Sequence, residues 1–311
     1  MDVHEANAAL LDSWELDLRS PIRRNTKPKR ERTIGLYLGE AHRFAAWLEA
    51  AGRPAAAPGD LAGVGRHDVA AWIGDLRAQG RSEYTVRNRW IVLRSLYGWA
   101  ATEEVIPANP VAQVNVAKVD EPPPAVLDDA AIVALLAACR GTDFADRRDL
   151  ALIRLLLATG LRASEACALG VGDVELRTRI VSVVDGKGGR SRLARFDPAT
   201  AAALDRYRRV RGRHRYAGRR ELWIGHRGPL SRKGLGPILD KRAAMAGLGH
   251  VHPHMLRHSY AHRMKKAGAS FEDLGQLGGW SSPEVMKRYG ASLAVERSLE
   301  AYDRLDPMAG L

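Results

Sequence analysis

The chain has 311 residues, room for about two domains at roughly 150 residues each, and its 48 Lys+Arg against 36 Asp+Glu give a net charge of +12 and a pI near 10.0. Hydrophobic residues at 46% exclude wholesale disorder, and no apolar run reaches the ~18 residues of a membrane span. The basic excess favours a polyanionic partner, nucleic acid first.

The chain opens on Asp2 and Glu5 rather than on basic then apolar residues, so a cytoplasmic protein is expected. Residues 1–32 read as a tail: after the acidic start, a basic cluster from Arg19 to Arg32 is either disordered or an arm that touches DNA. Residues 33–118 read as a small helical domain. Tyr37, Ala41, Phe44 and Leu48 form one apolar stripe, Val69, Trp72, Ile73 and Leu76 a second, and Val86, Trp90, Leu93 and Tyr97 a third. Ser82 is placed to cap the third helix, and Arg87 and Arg94 share a neighbouring face as candidate DNA contacts. Asn109-Pro110 breaks the pattern.

Residues 119–125 form a linker, because the three prolines 122–124 fit neither a helix nor a central strand. Beyond it, Asp128 or Asp129 caps a helix from Ala130 to Cys139, and another runs from about Asp149 to Ala158. Thr159-Gly160 ends that helix, and a short one follows from Ala163 to Leu169. Ile180 to Val184 favour a strand, 185–189 a turn with Lys187 near its tip, and Ser191 to Phe196 a strand pairing back. Helical patterns return over Pro198–Val210, Leu235–Ala246 and His254–Ala267. Cys139 and Cys167, the two cysteines, lie in apolar helical patterns and read as reduced core residues. From Arg190 to Arg242 there are 16 Lys+Arg against 4 Asp+Glu, a run that suits phosphate contacts, with Arg190 and Arg192 among them.

Four short segments carry candidate chemistry. Arg162 follows a glycine turn and opens a helix, with Glu165 three residues on. Lys187 sits in Gly186-Lys187-Gly188-Gly189-Arg190, which lacks the spacing of a nucleotide-binding loop. His254 and Arg257, three apart, share a helix face, where a guanidinium binds phosphate oxygens and an imidazole moves a proton. Gly278-Gly279-Trp280 is followed nine residues after the tryptophan by Tyr289.

In this order and at these separations the segments resemble the active-site boxes of the tyrosine recombinases, the phage-integrase-like enzymes, over nearly the whole chain. The resemblance implies a mainly α fold with a small β-hairpin or sheet: an N-terminal helical core-binding domain and a catalytic domain at 126–290, closing as a two-domain clamp on DNA, then a C-terminal helix or tail at 291–311. It implies Arg162, Lys187, His254, Arg257 and Trp280 as catalytic residues, Glu165 as support and Tyr289 as the nucleophile that forms a 3′-phosphotyrosine link. Many members carry histidine where Trp280 stands, and an indole donates one hydrogen bond but cannot exchange protons, so Trp280 is assigned to positioning or a phosphate contact. Neither cofactor, metal nor ATP is expected. The implied partners are double-stranded DNA with specific recombination sites and further copies of the chain, two per site and four in synapsis. The length leaves little room for the arm-binding domain of larger integrases, which leans towards a simple Xer-like or mobile-element enzyme.

Rival readings stand beside this one. His254, His258 and His262 recur every four residues and could make a metal face. Tyr260 is expected to be buried, Tyr302 to pack in a tail helix with Val295 and Leu299, and Tyr207 and Tyr216 to be able to touch DNA. A type IB topoisomerase-like enzyme and a non-catalytic DNA-binding protein on the same scaffold are the alternative functions.

Overall fold

The computed structural model describes residues 2–21, 28–51, 59–117, 124–184 and 191–280, with positions 299, 302, 303 and 305. The chain divides into two compact units, Met1–Glu121 and Pro122–Leu311.

The first unit is helical, with α1 at Val3–Arg19, α2 at Glu31–Ala50, α3 at Arg66–Ala78 and α4 at Glu83–Thr102. Each helix contributes an apolar stripe to one core, and aromatic rings dominate it: Phe44 lies 4.9 Å from Trp72 and edge-on to Tyr97. The buried Tyr97 hydroxyl donates to the Leu61 carbonyl at 3.0 Å, as a buried phenol must find a partner. Ser82 caps α4 by accepting from the Thr85 amide. The N-terminal segment differs from expectation. Instead of a loose tail, residues 3–19 form a helix whose Leu11, Trp14 and Leu18 are buried in the core. Their i, i+3, i+7 spacing gives α1 one apolar face, and burying a side chain of that size is worth about 1.5–3 kcal/mol.

The second unit wraps its elements around α6. In chain order these are α5 at Asp129–Ala137, α6 at Phe144–Thr159, α7 at Ala163–Ala168, a 3-10 turn at Val171–Asp173, β1 at Val174–Glu175, β2 at Ile180–Val184, β3 at Ser191–Arg195, α8 at Pro198–Arg211, β4 at Ile224–Gly225, β5 at Gly228–Pro229, α9 at Arg232–Met245, α10 at Pro253–Lys266 and α11 at Phe271–Gly278. α6 is apolar on nearly every side, with Ala151, Leu152, Ile153, Leu155 and Leu156 all buried, because α8 and α10 cover it. Strands β1, β2 and β3 form an antiparallel sheet in that order, with Val181 opposite Ala194 and Val183 opposite Arg192. Val181, Val183 and Ala194 are buried, so this face points inward.

The basic run of the second unit is only partly a solvent-facing surface. Arg211 donates to the carbonyls of Leu222, Ala217, Arg219 and Glu221, and Arg208 to those of Val171 and Val174. Arg242 is buried and ion-paired with Asp149 at 2.7 Å and Asp146 at 2.8 Å. These arginines tie loops together where the sequence suggested phosphate contacts. Cys139 and Cys167 pack against the core of this unit, and burial pushes both thiols up to about 11.

Candidate active site

The site begins where α6 stops. Gly160 takes the left-handed conformation (φ 61°), and a Cβ there would overlap the Tyr260 ring, so glycine alone fits this turn. Two residues later Arg162 stands at the N-cap of α7, where its backbone N–H donates to Glu165 Oε2 at 2.8 Å. The Arg162 guanidinium divides its hydrogen bonds between Glu165 Oε1 at 2.8 Å and the Gly279 carbonyl at 2.7 Å. It stays partly exposed while Glu165 is buried.

Helix α10 supplies the second group. His252 caps it by accepting from the Met255 amide, with Pro253 as its first residue. Arg257 is 4% exposed and donates to the Gly160 carbonyl, two residues before Arg162. Its guanidinium lies 3.7 Å from the centroid of the Trp280 ring, a cation–π contact. Trp280 in turn stacks on Tyr260, the planes inclined by 4°. A Cβ on Gly278 would overlap the indole, so that glycine lets the ring fold back under Arg257.

Partial burial, followed by the neighbouring His252 and the positive charges of Arg257, Arg232 and Arg162, holds His254 below the ordinary histidine range. A histidine so placed is neutral at pH 7 and able to accept a proton. Glu165 is held the other way. Burial alone would raise it, but hydrogen bonds from Arg192 and from the backbone and side chain of Arg162 bring it down to about 2. His258, whose ring lies 6.3 Å from that of His254, is lowered by burial and neighbouring positive groups to about 4. Among the described residues no three His, Cys, Asp or Glu side chains are gathered to hold a metal ion.

Arg162, Glu165, His254, Arg257 and Trp280 are thus brought together from three stretches of chain. Lys187, Arg190 and Tyr289 lie outside the described residues. Arg192, expected on DNA, instead turns inward: its guanidinium pairs with both Glu165 oxygens at 3.0 and 2.7 Å and donates to the Leu277 carbonyl at 3.2 Å. The sequence held a signal for this, since Arg192, Ala194 and Phe196 alternate with Ser191, Leu193 and Arg195, and an inward Ala194 makes Arg192 inward too. In the first unit, Arg94 is exposed over Trp90, whereas Arg87 is half-buried and reaches the Val116 carbonyl. Tyr260 is buried as expected. Tyr207 is fully buried, donates to the Leu222 carbonyl and has its hydroxyl pushed up to about 12 by burial, so it does not face a ligand. Tyr302, expected to pack, is instead 58% exposed, alongside Leu299 at 63% and Leu305 at 73%.

Residues 125–295 match the model of the phage integrase family. The chain is 32% identical to tyrosine recombinase XerC of Corynebacterium efficiens over 245 residues, covering 78% of each protein. It is 31% identical to tyrosine recombinase XerD of Corynebacterium glutamicum over 269 residues, 83% of this chain and 86% of that protein. Its fold is similar to that of XerH recombinase (TM-score 0.72, 17% identity, 97% of this chain and 96% of that one) and of the Tn1549 transposon integrase (TM-score 0.71, 20% identity, 98% and 100%). Two arginines linked through the Gly160 loop and the Gly279–Trp280 turn, a neutral histidine beside them, and a family match over more than half the length agree: the chain belongs to the phage integrase family, the tyrosine recombinases.

Proposed function

We propose that this protein cuts and rejoins DNA at specific sites through a covalent 3′-phosphotyrosine intermediate, as a site-specific recombinase. The observation that carries the reading is the pairing of Arg162 with Arg257. Arg257 donates to the Gly160 carbonyl two residues before Arg162, Arg162 donates to the Gly279 carbonyl next to Trp280, whose ring lies against Arg257, and both lower one histidine. Phosphoryl transfer needs charge stabilisation on two non-bridging oxygens. Two fixed guanidinium groups provide it without a metal, at about 10²–10³ in rate per well-placed donor.

In the proposed reaction the Tyr289 oxygen attacks the scissile phosphorus and its proton passes to His254. The bond from phosphorus to the 5′ oxygen breaks, and that oxygen takes a proton from Lys187. The phosphotyrosine ester conserves the bond energy, so a 5′-hydroxyl from a second strand can reverse the step without ATP. Trp280 moves no proton; its ring supports Arg257. The substrate is double-stranded DNA, bound by two copies per site and four when two sites are joined. A cytoplasmic location is compatible with that substrate. Solved relatives support the DNA reading: XerH is bound to difH substrate, and lambda integrase forms a dimer bound to a core site.

A nicked suicide substrate tests this. The wild-type protein should form a covalent adduct on a denaturing gel in the presence of chelator, and Tyr289→Phe should bind the same site without forming it. An adduct that persists in Tyr289→Phe moves the nucleophile elsewhere. Relaxation of supercoils with no joint molecules would favour the topoisomerase alternative.

A further inference from the structure

Glu165 is shared between two arginines, and they share it unequally. Arg192 forms the two-pronged pair, one nitrogen on each carboxylate oxygen. Arg162 donates only one side-chain bond to the carboxylate, and its second nitrogen donates to the Gly279 carbonyl. With the Arg162 backbone N–H, the carboxylate accepts four hydrogen bonds, which fills its two oxygens. Arg192 reaches this position because Val183, its partner across the β2–β3 ladder, faces the core. Its side chain is 12% exposed, against 39% for Arg162. Its third contact, to the Leu277 carbonyl, holds the turn whose next residues carry Gly279 and Trp280.

A guanidinium alone beside a buried carboxylate forms a neutral pair and tends to close on it with both prongs. That would take Arg162 away from a phosphate in charge and in direction. We propose that Arg192 is a positioning residue for strand cleavage: it occupies the carboxylate of Glu165 from β3, so that the three-residue group keeps a net single positive charge and Arg162 stays turned towards the scissile phosphate. The inference rests on the recombinase reading and adds a residue that acts through Glu165 rather than on the phosphate.

The test compares single-turnover cleavage of two substrates, one with an ordinary scissile phosphate and one with a methylphosphonate. A methyl group in place of a charged oxygen removes most of the demand for a cation. Arg162→Ala sets the reference: slow on phosphate, recovered on methylphosphonate. Arg192→Ala should follow the same profile, slowed by about 10–100-fold on phosphate and largely restored on methylphosphonate, with single-site DNA affinity unchanged. Arg192→Lys should retain part of the rate. Adding Glu165→Gln to Arg192→Ala should also recover rate on phosphate, because the neutralising carboxylate is gone. Equal slowing of Arg192→Ala on both substrates, or no slowing on either, overturns the inference and leaves the recombinase reading standing. A wild-type protein that forms no adduct overturns both.

Discussion

Replacing Glu165 with glutamine removes a carboxylate whose ionised form the fold stabilises. The ordinary value of 4.5 falls to about 2: burial opposes the charge, but hydrogen bonds from Arg192 and Arg162 outweigh it. At 1.36 kcal/mol per pH unit, the gap corresponds to about 3 kcal/mol of stability at pH 7. Because the folded value is the lower one, this contribution is complete above pH 4.5 and drains away as pH falls towards 2. Glu165→Gln loses it and also turns an amide N–H₂ towards guanidinium groups, an unfavourable contact at every pH. The stability difference between wild type and Glu165→Gln should therefore narrow by about 2 kcal/mol between pH 7 and pH 3. Urea unfolding read by hydrogen exchange on peptides of residues 124–280 isolates the relevant unit. A difference that does not change with pH would refute the account, since the carboxylate would then gain nothing from its ionised form.

The lowered His254 gives the catalytic pH profile a direction: a base that stays neutral below the ordinary histidine range should keep cleavage active down through pH 6.5, with the acid limb lying lower. A limb centred above 6.5 would exclude it as the base. Trp280→Phe keeps a ring face for Arg257 and should retain most of the cleavage rate. Trp280→Ala should lose about 0.5–2 kcal/mol of guanidinium support, read as a fall in single-turnover rate; equal rates would remove the ring from the argument. Asp149→Ala leaves the buried Arg242 with Asp146 alone and takes the neighbouring carboxylate from buried Arg148, and should cost about 3–5 kcal/mol in urea unfolding. Exposed Leu299, Tyr302 and Leu305 need a cover. Deleting residues from 292 onward should spare single-site binding and reduce two-site complexes on native gels, and undiminished two-site complexes would dismiss that role.

The legible and the illegible parts of the site separate by sequence distance. Arg162 with Glu165, and His254 with Arg257, are pairs three apart that one helical turn brings together, and although each spacing is weak alone, the order of the four segments along the chain made them legible. Helix α11 carries its own signal, Ser270 and Asp273 as a capping box ahead of Phe271, Leu274 and Leu277 at helical spacing, but eight residues are too short a window for that period to stand out. Helix α1 is masked in the sequence by its flanking charges, although Leu11, Trp14 and Leu18 stand at helical spacing. The partners of Arg192 and Arg242 were out of reach, because Glu165 lies 27 residues and Asp149 93 residues away, joined only by tertiary packing. A net charge counts every arginine alike, whether it faces solvent or caps a carbonyl as Arg211 does.

Arg257 holds the loop before Arg162, and Arg162 holds the turn before Trp280, on which Arg257 lies. The two arginines are therefore struts of one frame, and neither can be re-aimed alone. Substitutions at the two positions should couple strongly rather than add. For anyone retargeting this scaffold to a different phosphorus centre, the unit of change is the frame: the Gly160 loop, the Gly279 turn and both guanidinium groups have to be redesigned together, while the DNA-reading surfaces can be altered piecemeal.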